Sequence, residues 1–125
     1  LYCSIVATLL PDGIKEAIDK TSAKLVYVTG NAYEIDGELG PKTLSGYVYE
    51  LQAYLPRKID YVVHNNAELT EDQVSWYKTK GWAIFEPDVE NLAEYTILQG
   101  NYDRDHRSGL SADKISELLR EIILA

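Results

Sequence analysis

The chain has 125 residues, a formal net charge of −8, 46% hydrophobic residues and a single cysteine. That length suits one domain, and an apolar fraction so large excludes a disordered chain. The negative charge argues against a nucleic-acid backbone or an anionic membrane as the main partner, although backbone amides at a helix start can still hold a small phosphorylated ligand.

Cys3 has no second cysteine to pair with, so a reducing, cytoplasmic setting is expected. No apolar run reaches membrane-spanning length and no signal peptide is visible. The sequence contains no methionine and opens on Leu1-Tyr2-Cys3. It reads as a single α/β domain over residues 1–125, the C-terminal half of a longer protein.

Ser4 to Leu10 reads as a short helical or turn segment stopped by Pro11-Asp12-Gly13. Asp12 is placed to cap a second helix with Ile14 and Ile18 inside. Leu25-Val26-Tyr27-Val28 is a short β-branched run suited to a strand buried on both faces, and it ends at Thr29-Gly30-Asn31. A long polar, glycine-rich connection follows, longer than the usual 2–6 residues. Thr43 then opens a helix that carries Leu44, Val48, Leu51 and Leu55 along one face. Ile59 to Val63 is a second buried strand, which ends at His64-Asn65-Asn66. Thr70-Glu71-Asp72-Gln73 has the form of a capping box for a helix that stops at Gly81. Trp82–Phe85 and Tyr95–Leu98 read as two more strands, and Asn101–Gly109 as a charged loop. Ser111 caps a final helix whose Ile115, Leu118, Leu119, Ile122 and Ile123 have the spacing of a packed face.

Strands alternating with helices predict an α/β fold, a partial Rossmann-like arrangement with a mostly parallel sheet covered by helices. The strands near 25–29 and 59–64 should be parallel neighbours. Crossover handedness then brings Thr29–Asn31 and His64–Asn66 to one edge of the sheet, where such folds bind ligands.

In the long loop, Glu34, Asp36 and Glu38 alternate, so an extended chain would point their carboxylates one way. They suit Mg²⁺ or ligand hydroxyls, or equally a solvated acidic loop. They do not form a calcium hand, because Leu39 and Ser45 stand where glycine and glutamate are needed. Asn65 and Asn66 suit a nucleobase or sugar, or simply a strand-ending turn. His64 and His106 lack zinc-ligand spacing with Cys3, and no nucleophile–base pair is assignable. Neither GxGxxG nor a Walker sequence is present.

The stretches LYCSIVATLLPDGIKEAI, KLVYVTGN…GE…T and IDYVVHNN, in that order, resemble the C-terminal half of the 2-phospho-L-lactate transferase-like superfamily. That superfamily includes the deazaflavin-coenzyme transferases and the gluconeogenesis factors that bind nucleotide sugars. Leu1, Tyr2 and Ser4 match its GPGSLYTS loop, with Cys3 in place of threonine. Asn31, Gly37, Glu38 and Thr43 match its long loop, in which Gly40-Pro41-Lys42 replace Asp-Gly-Tyr. Asn65 and Asn66 match its paired asparagines, and Asp105-His106-Arg107-Ser108-Gly109 stands where it has Arg-His-Asp-Pro.

The resemblance implies ligand-binding roles for Ser4, Asn31, Glu38, Thr43, Asn65 and Asn66, and the acidic loop itself offers Asp36 and Glu38 as contacts to a metal or hydroxyl. The partner it implies is a nucleotide-linked small molecule, with neither nucleic acid nor membrane involved. Three functions stay open. The first is a nucleotide-sugar-binding regulator resembling the gluconeogenesis factors. The second is a Mg²⁺-dependent 2-phospho-L-lactate transferase, and the third a structural or dimerising fragment without activity. Loss of Asp-Gly-Tyr slightly favours the first. Half of a doubly wound sheet leaves a face or edge uncovered, so a homo-oligomer, or association with the missing half, is expected. Asn65→Ala is expected to weaken binding with folding nearly unchanged.

Overall fold

The β-branched runs read from the sequence form the centre of the molecule. A computed structural model describes residues 1–37, 39–105, 107 and 109–125, with Cys3 described by its backbone alone. A π-helical turn, Tyr2–Val6, runs into α1 (Ala7–Leu9) and is followed by α2 (Ile14–Lys20), β1 (Val26–Val28) and β2 (Ala32–Glu34). Then come α3 (Leu44–Gln52), β3 (Tyr61–Asn65), α4 (Glu71–Thr79) and β4 (Trp82–Ile84). A 3₁₀ turn, Val89–Leu92, leads to β5 (Ile97–Gly100) and α5 (Ala112–Leu124).

Three strands form a parallel sheet in the order β1-β3-β5. Central β3 is sealed on both faces, with Val62 at 0% and Val63 at 1% exposure, as expected of a strand between two parallel neighbours under helices. Helix α3 lays Leu44, Val48 and Leu51, all buried, into the core beside Tyr27, Ile59, Val62 and Phe85. Their i, i+4, i+7 spacing puts one stripe of the helix on the sheet. The fold is thus α/β with a mostly parallel sheet and helical cover.

The start of α3 is held from two directions. Thr43 Oγ1 accepts from the Gly46 amide at 3.0 Å. Asp88, only 7% exposed, accepts from the Ser45 amide at 2.8 Å, from Ser45 Oγ, and from Asn91 Nδ2 at 2.9 Å. A carboxylate at a helix N-terminus satisfies orphan donors and meets the favourable end of the dipole. Asp60 ties the starts of β1 and β3 in a similar way, accepting from the Leu25 amide at 2.7 Å and from Arg57 Nη1 at 3.0 Å. Thr70 and Gln73 form the expected reciprocal capping box.

Four expectations are corrected. Strand 82–84 does not join the parallel sheet. It pairs antiparallel with β2, a strand inside the long connection, in the register Tyr33↔Ala83 and Glu34↔Trp82. Short runs with only one apolar face carry too weak a pattern to reveal a two-stranded ribbon. Helix α2 begins after Gly13, at φ 88°, and no side chain of Asp12 caps it. Ile14 is exposed, while Ile18 lies half-buried against the core. Helix α5 starts at Ser111 as expected, but none of its described residues is buried, and Ile123 is 79% exposed.

Both clamping carboxylates titrate low. Burial raises the Asp88 pKa, but the bonds from Ser45 and Asn91 outweigh it and the net shift is downward. The Leu25 amide and then Arg57 hold Asp60 below the ordinary aspartate value. A depressed folded-state pKa means that the stability from these groups is fully present above the unfolded value of about 3.9 and is lost as pH falls below it. Denaturation at pH 7 and pH 3 should therefore show Asp88→Asn losing less stability over that interval than the wild type. Asp88→Ala should cost about 1–3 kcal/mol at pH 7, the penalty for orphaned buried donors.

Candidate functional site

The parallel strands end at one edge, where Thr29 follows β1 and β3 closes on Asn65. Thr29, 2% exposed, donates from Oγ1 to the Val63 carbonyl at 3.1 Å and continues the β1–β3 pairing to the edge. One step further, Asn65 Nδ2 donates to Asn31 Oδ1 at 3.3 Å. Asn65 Oδ1 accepts from the Tyr102 amide at 3.0 Å and the Ala67 amide at 3.3 Å. Asn31 Nδ2 donates to the Tyr77 hydroxyl at 3.3 Å, and that hydroxyl also accepts from the Gly109 amide at 3.2 Å. The two asparagines therefore tie both strand ends to the loops that follow β5 and to helix α4.

Asn31 separates two clefts. The larger has a volume of about 790 Å³. Its walls carry Tyr33, Tyr47, Tyr77 and Trp82, and Ser4 and Asn31 lie along it. Lys42 supplies its one lysine or arginine and sits 6.0 Å from the centre of the Tyr33 ring. Glu34 and Glu50 add acidic groups, and Glu50 accepts from the Tyr2 hydroxyl at 2.9 Å. The smaller cleft, about 240 Å³, brings Asn31, Asn65 and Asn66 together with His64, Phe85 and Gln99. His64 is 6% exposed, and burial pushes its pKa below the ordinary histidine value of 6.5, so the ring is neutral near pH 7.

Of the residues singled out from the sequence, Ser4 and Asn31 meet in the larger cleft, and Asn31, Asn65 and Asn66 meet in the smaller. Thr43 lines neither, and its hydroxyl is engaged as the α3 cap. Of the three acidic side chains expected to align, two are described. The Glu34 carboxylate folds back over Gly37, where a Cβ would collide with it, and Asp36 is exposed. Glu38 lies outside the described residues. Among the described residues, no three His, Cys, Asp or Glu side chains gather to hold a metal ion. Ser45 and Asp88 are a serine–carboxylate pair, but they clamp a helix start and line neither cleft.

The aromatic walls have no sequence signal of their own, because tyrosine and tryptophan are ordinary core and half-buried residues. They come together through the pairing of Tyr33 with the strand that carries Trp82. What the site offers chemically is aromatic faces for stacking, amides and hydroxyls that donate and accept, and, among the described residues, one lysine with the carboxylates of Glu34 and Glu50.

Because Asn65 satisfies three partners in a site where it is only 6% exposed, its replacement acts on the fold. This corrects the expectation of unchanged folding. Asn65→Ala should lower the urea midpoint by the equivalent of about 1–3 kcal/mol, and a midpoint equal to that of the wild type would return Asn65 to a role in binding alone.

Residues 1–101 match the family described as 2-phospho-L-lactate transferase CofD. A protein of Thermotoga maritima, provisionally named a gluconeogenesis factor, is 37% identical over 98 residues, which are 78% of this chain. The match covers 31% of that relative, so the chain spans about a third of its length. Two crystal structures of one Bacillus halodurans protein, described as a member of the UPF0052 family, share the fold. One has a TM-score of 0.78 at 19% identity, covering 90% of this chain and 37% of that one. The other has a TM-score of 0.73 at 20% identity, covering 94% and 39%. The chain belongs to the 2-phospho-L-lactate transferase CofD and gluconeogenesis factor superfamily.

Proposed function

We propose that this chain forms the ligand-holding part of a nucleotide-sugar-binding regulatory protein like the gluconeogenesis factors. The observation that carries the reading is the larger cleft. Four aromatic side chains and the Asn31 amide line it together with Lys42, Glu34 and Glu50, a set that supports a stacked ring with its anionic group toward Lys42 and its hydroxyls toward the carboxylates. Its volume of about 790 Å³ falls within the range of about 300–1,000 Å³ usual for pockets that enclose a whole small ligand.

The family description favours a second reading, a transferase that moves a phospholactyl group with Mg²⁺. In that reaction the protein mainly orients its substrates and stabilises charge, so the same cleft serves without a protein nucleophile. Self-association belongs to the proposal as well. The stripe of α5 holding Ile115, Leu118, Leu119 and Ile122 is only half-buried, which supports a homo-oligomer. No described helix is long and apolar enough to cross a membrane, and a cytoplasmic setting remains part of the proposal.

Calorimetry of the whole protein with a nucleotide sugar tests the first reading. Saturable binding with the ligand recovered intact by mass spectrometry is expected. Conversion of a guanylylated phospholactate donor in the presence of Mg²⁺ would establish the second instead. Lys42→Ala, at an exposed position, should leave folding unchanged. It should weaken binding of the phosphorylated ligand by about 1.5–3 kcal/mol, the worth of a bond to a charged group. Unchanged affinity would remove Lys42 from the site.

A further inference from the structure

Among the described residues, Asp103 Oδ1 and His64 Nδ1 are buried without a hydrogen-bond partner, and of the two His64 lines a cleft described above. Its ring makes no hydrogen bond to any described residue, only a tilted contact with Phe85 at 6.2 Å between centroids. Polar atoms buried in this way are uncommon and call for an explanation. His64 and Gln99 are register partners on β3 and β5, and register partners on neighbouring strands present their side chains on one face of a sheet. Asn66 follows two positions after His64, in step with the same alternation, and lines the same cleft. The Asn66 and Gln99 amides are exposed and make no side-chain hydrogen bond among the described residues.

We propose that the smaller cleft is a base-reading subsite, in which His64 and Gln99 hydrogen-bond the edge of an uncharged planar heterocycle that carries an acceptor beside an N–H. The proposal rests on the nucleotide-ligand reading above and assigns one part of that ligand. The proton position follows from burial. An orphaned N–H is rarer than an orphaned acceptor, so sealed Nδ1 is the acceptor and Nε2 carries the hydrogen. Nε2–H then donates to the acceptor of the base, and the Gln99 carbonyl accepts from the neighbouring N–H. Phe85 supplies an aromatic wall and Asn66 a second amide. No described residue lining this cleft is charged near pH 7, which favours a neutral ring over a phosphate. About 240 Å³ is less than a whole ligand usually needs and suits a ring. Asn31 lines both clefts, so the rest of the ligand can pass over it toward Lys42.

Uridine, guanosine and adenosine, titrated separately into the whole protein, identify the base. The readout is the imidazole ¹⁵N signals of His64, assigned by their loss in His64→Phe. At least one nucleoside should shift Nε2 saturably. Its analogue methylated at the ring-edge nitrogen (3-methyluridine, 1-methylguanosine or N6,N6-dimethyladenosine) should bind at least tenfold more weakly. Gln99→Ala, an exposed change that leaves folding intact, should also weaken the nucleoside at least tenfold. The inference is overturned if no nucleoside moves His64, or if the methylated analogue and Gln99→Ala bind as tightly. It is also overturned if inorganic phosphate alone drives His64 to its protonated form. A nucleotide sugar bound equally by wild type and His64→Phe overturns this subsite and leaves the larger-cleft reading standing. Nucleoside binding without nucleotide-sugar binding overturns only the latter.

Discussion

The hydrogen bond between Asn65 and Asn31 joins what the backbone pairing alone cannot. Parallel strands β1 and β3 stop pairing at Thr29, and beyond that point two chains leave the sheet in different directions. An amide reaching across from one to the other fixes their separation, and the same two side chains anchor the loops near Tyr102 and Gly109 through Tyr77. A short polar side chain suits this position. It can donate and accept at once, so one residue satisfies several backbone groups that would otherwise be buried without partners. Both clefts border this bridge, and their shapes depend on it.

The walls of the larger cleft are held as firmly as its floor. The connection from Asn31 to Thr43 is long enough to wander, yet the backbone ties it at several points. Its first residue accepts from the Phe85 amide at 3.3 Å, and Ile35 donates to the Gly81 carbonyl at 2.9 Å. Near its end, Lys42 accepts from the Glu86 amide at 3.1 Å, and Leu44 donates to Glu86 at 2.8 Å. The β2–β4 ribbon fills the interval from Asn31 to Ile35. The entropy of ordering the tied stretches, 31–35 and 42–44, is therefore met by folding and need not be met when ligand binds, which is the advantage of preorganisation. Asp88 completes the arrangement by fixing the start of α3 to the chain that follows β4.

What the sequence revealed follows from which physical signals are local. Buried β-branched runs, the Thr70–Gln73 box and the Thr43 cap announce themselves within a few residues, and the parallel β1–β3 pairing follows from the strand–helix alternation around it. The ribbon of Ala32–Glu34 against Trp82–Ile84 was not legible, because each strand is short and its partner lies far along the chain. Nor was the aromatic wall, since Tyr33, Tyr77 and Trp82 acquire a common face only through that pairing. Helix α5 shows the opposite error. Its apolar spacing is real, but spacing says only that a face seeks burial and does not say that this chain provides it.

The paired asparagines show how a matched sequence pattern divides once it is folded. Asn65 and Asn66 are adjacent, equal in chemistry and equally suited on paper to a ligand. Strand alternation separates them, because consecutive side chains leave a strand on opposite faces. Asn65 turns inward, and three of its four hydrogen-bonding positions are taken up by Asn31, Ala67 and Tyr102. Asn66 stays exposed, with its backbone amide donating to Gly100 at 3.0 Å and its side chain left over. The residue before the pair, His64, shares the face of Asn66 and the register of Gln99. Specificity in a polar site rests with groups the fold has left unsatisfied, since a side chain already bonded gains little from a ligand. In the subsite proposed above, discrimination moves one residue to each side of Asn65, and the asparagine that looks most like a ligand contact is the one that builds the edge on which the others stand.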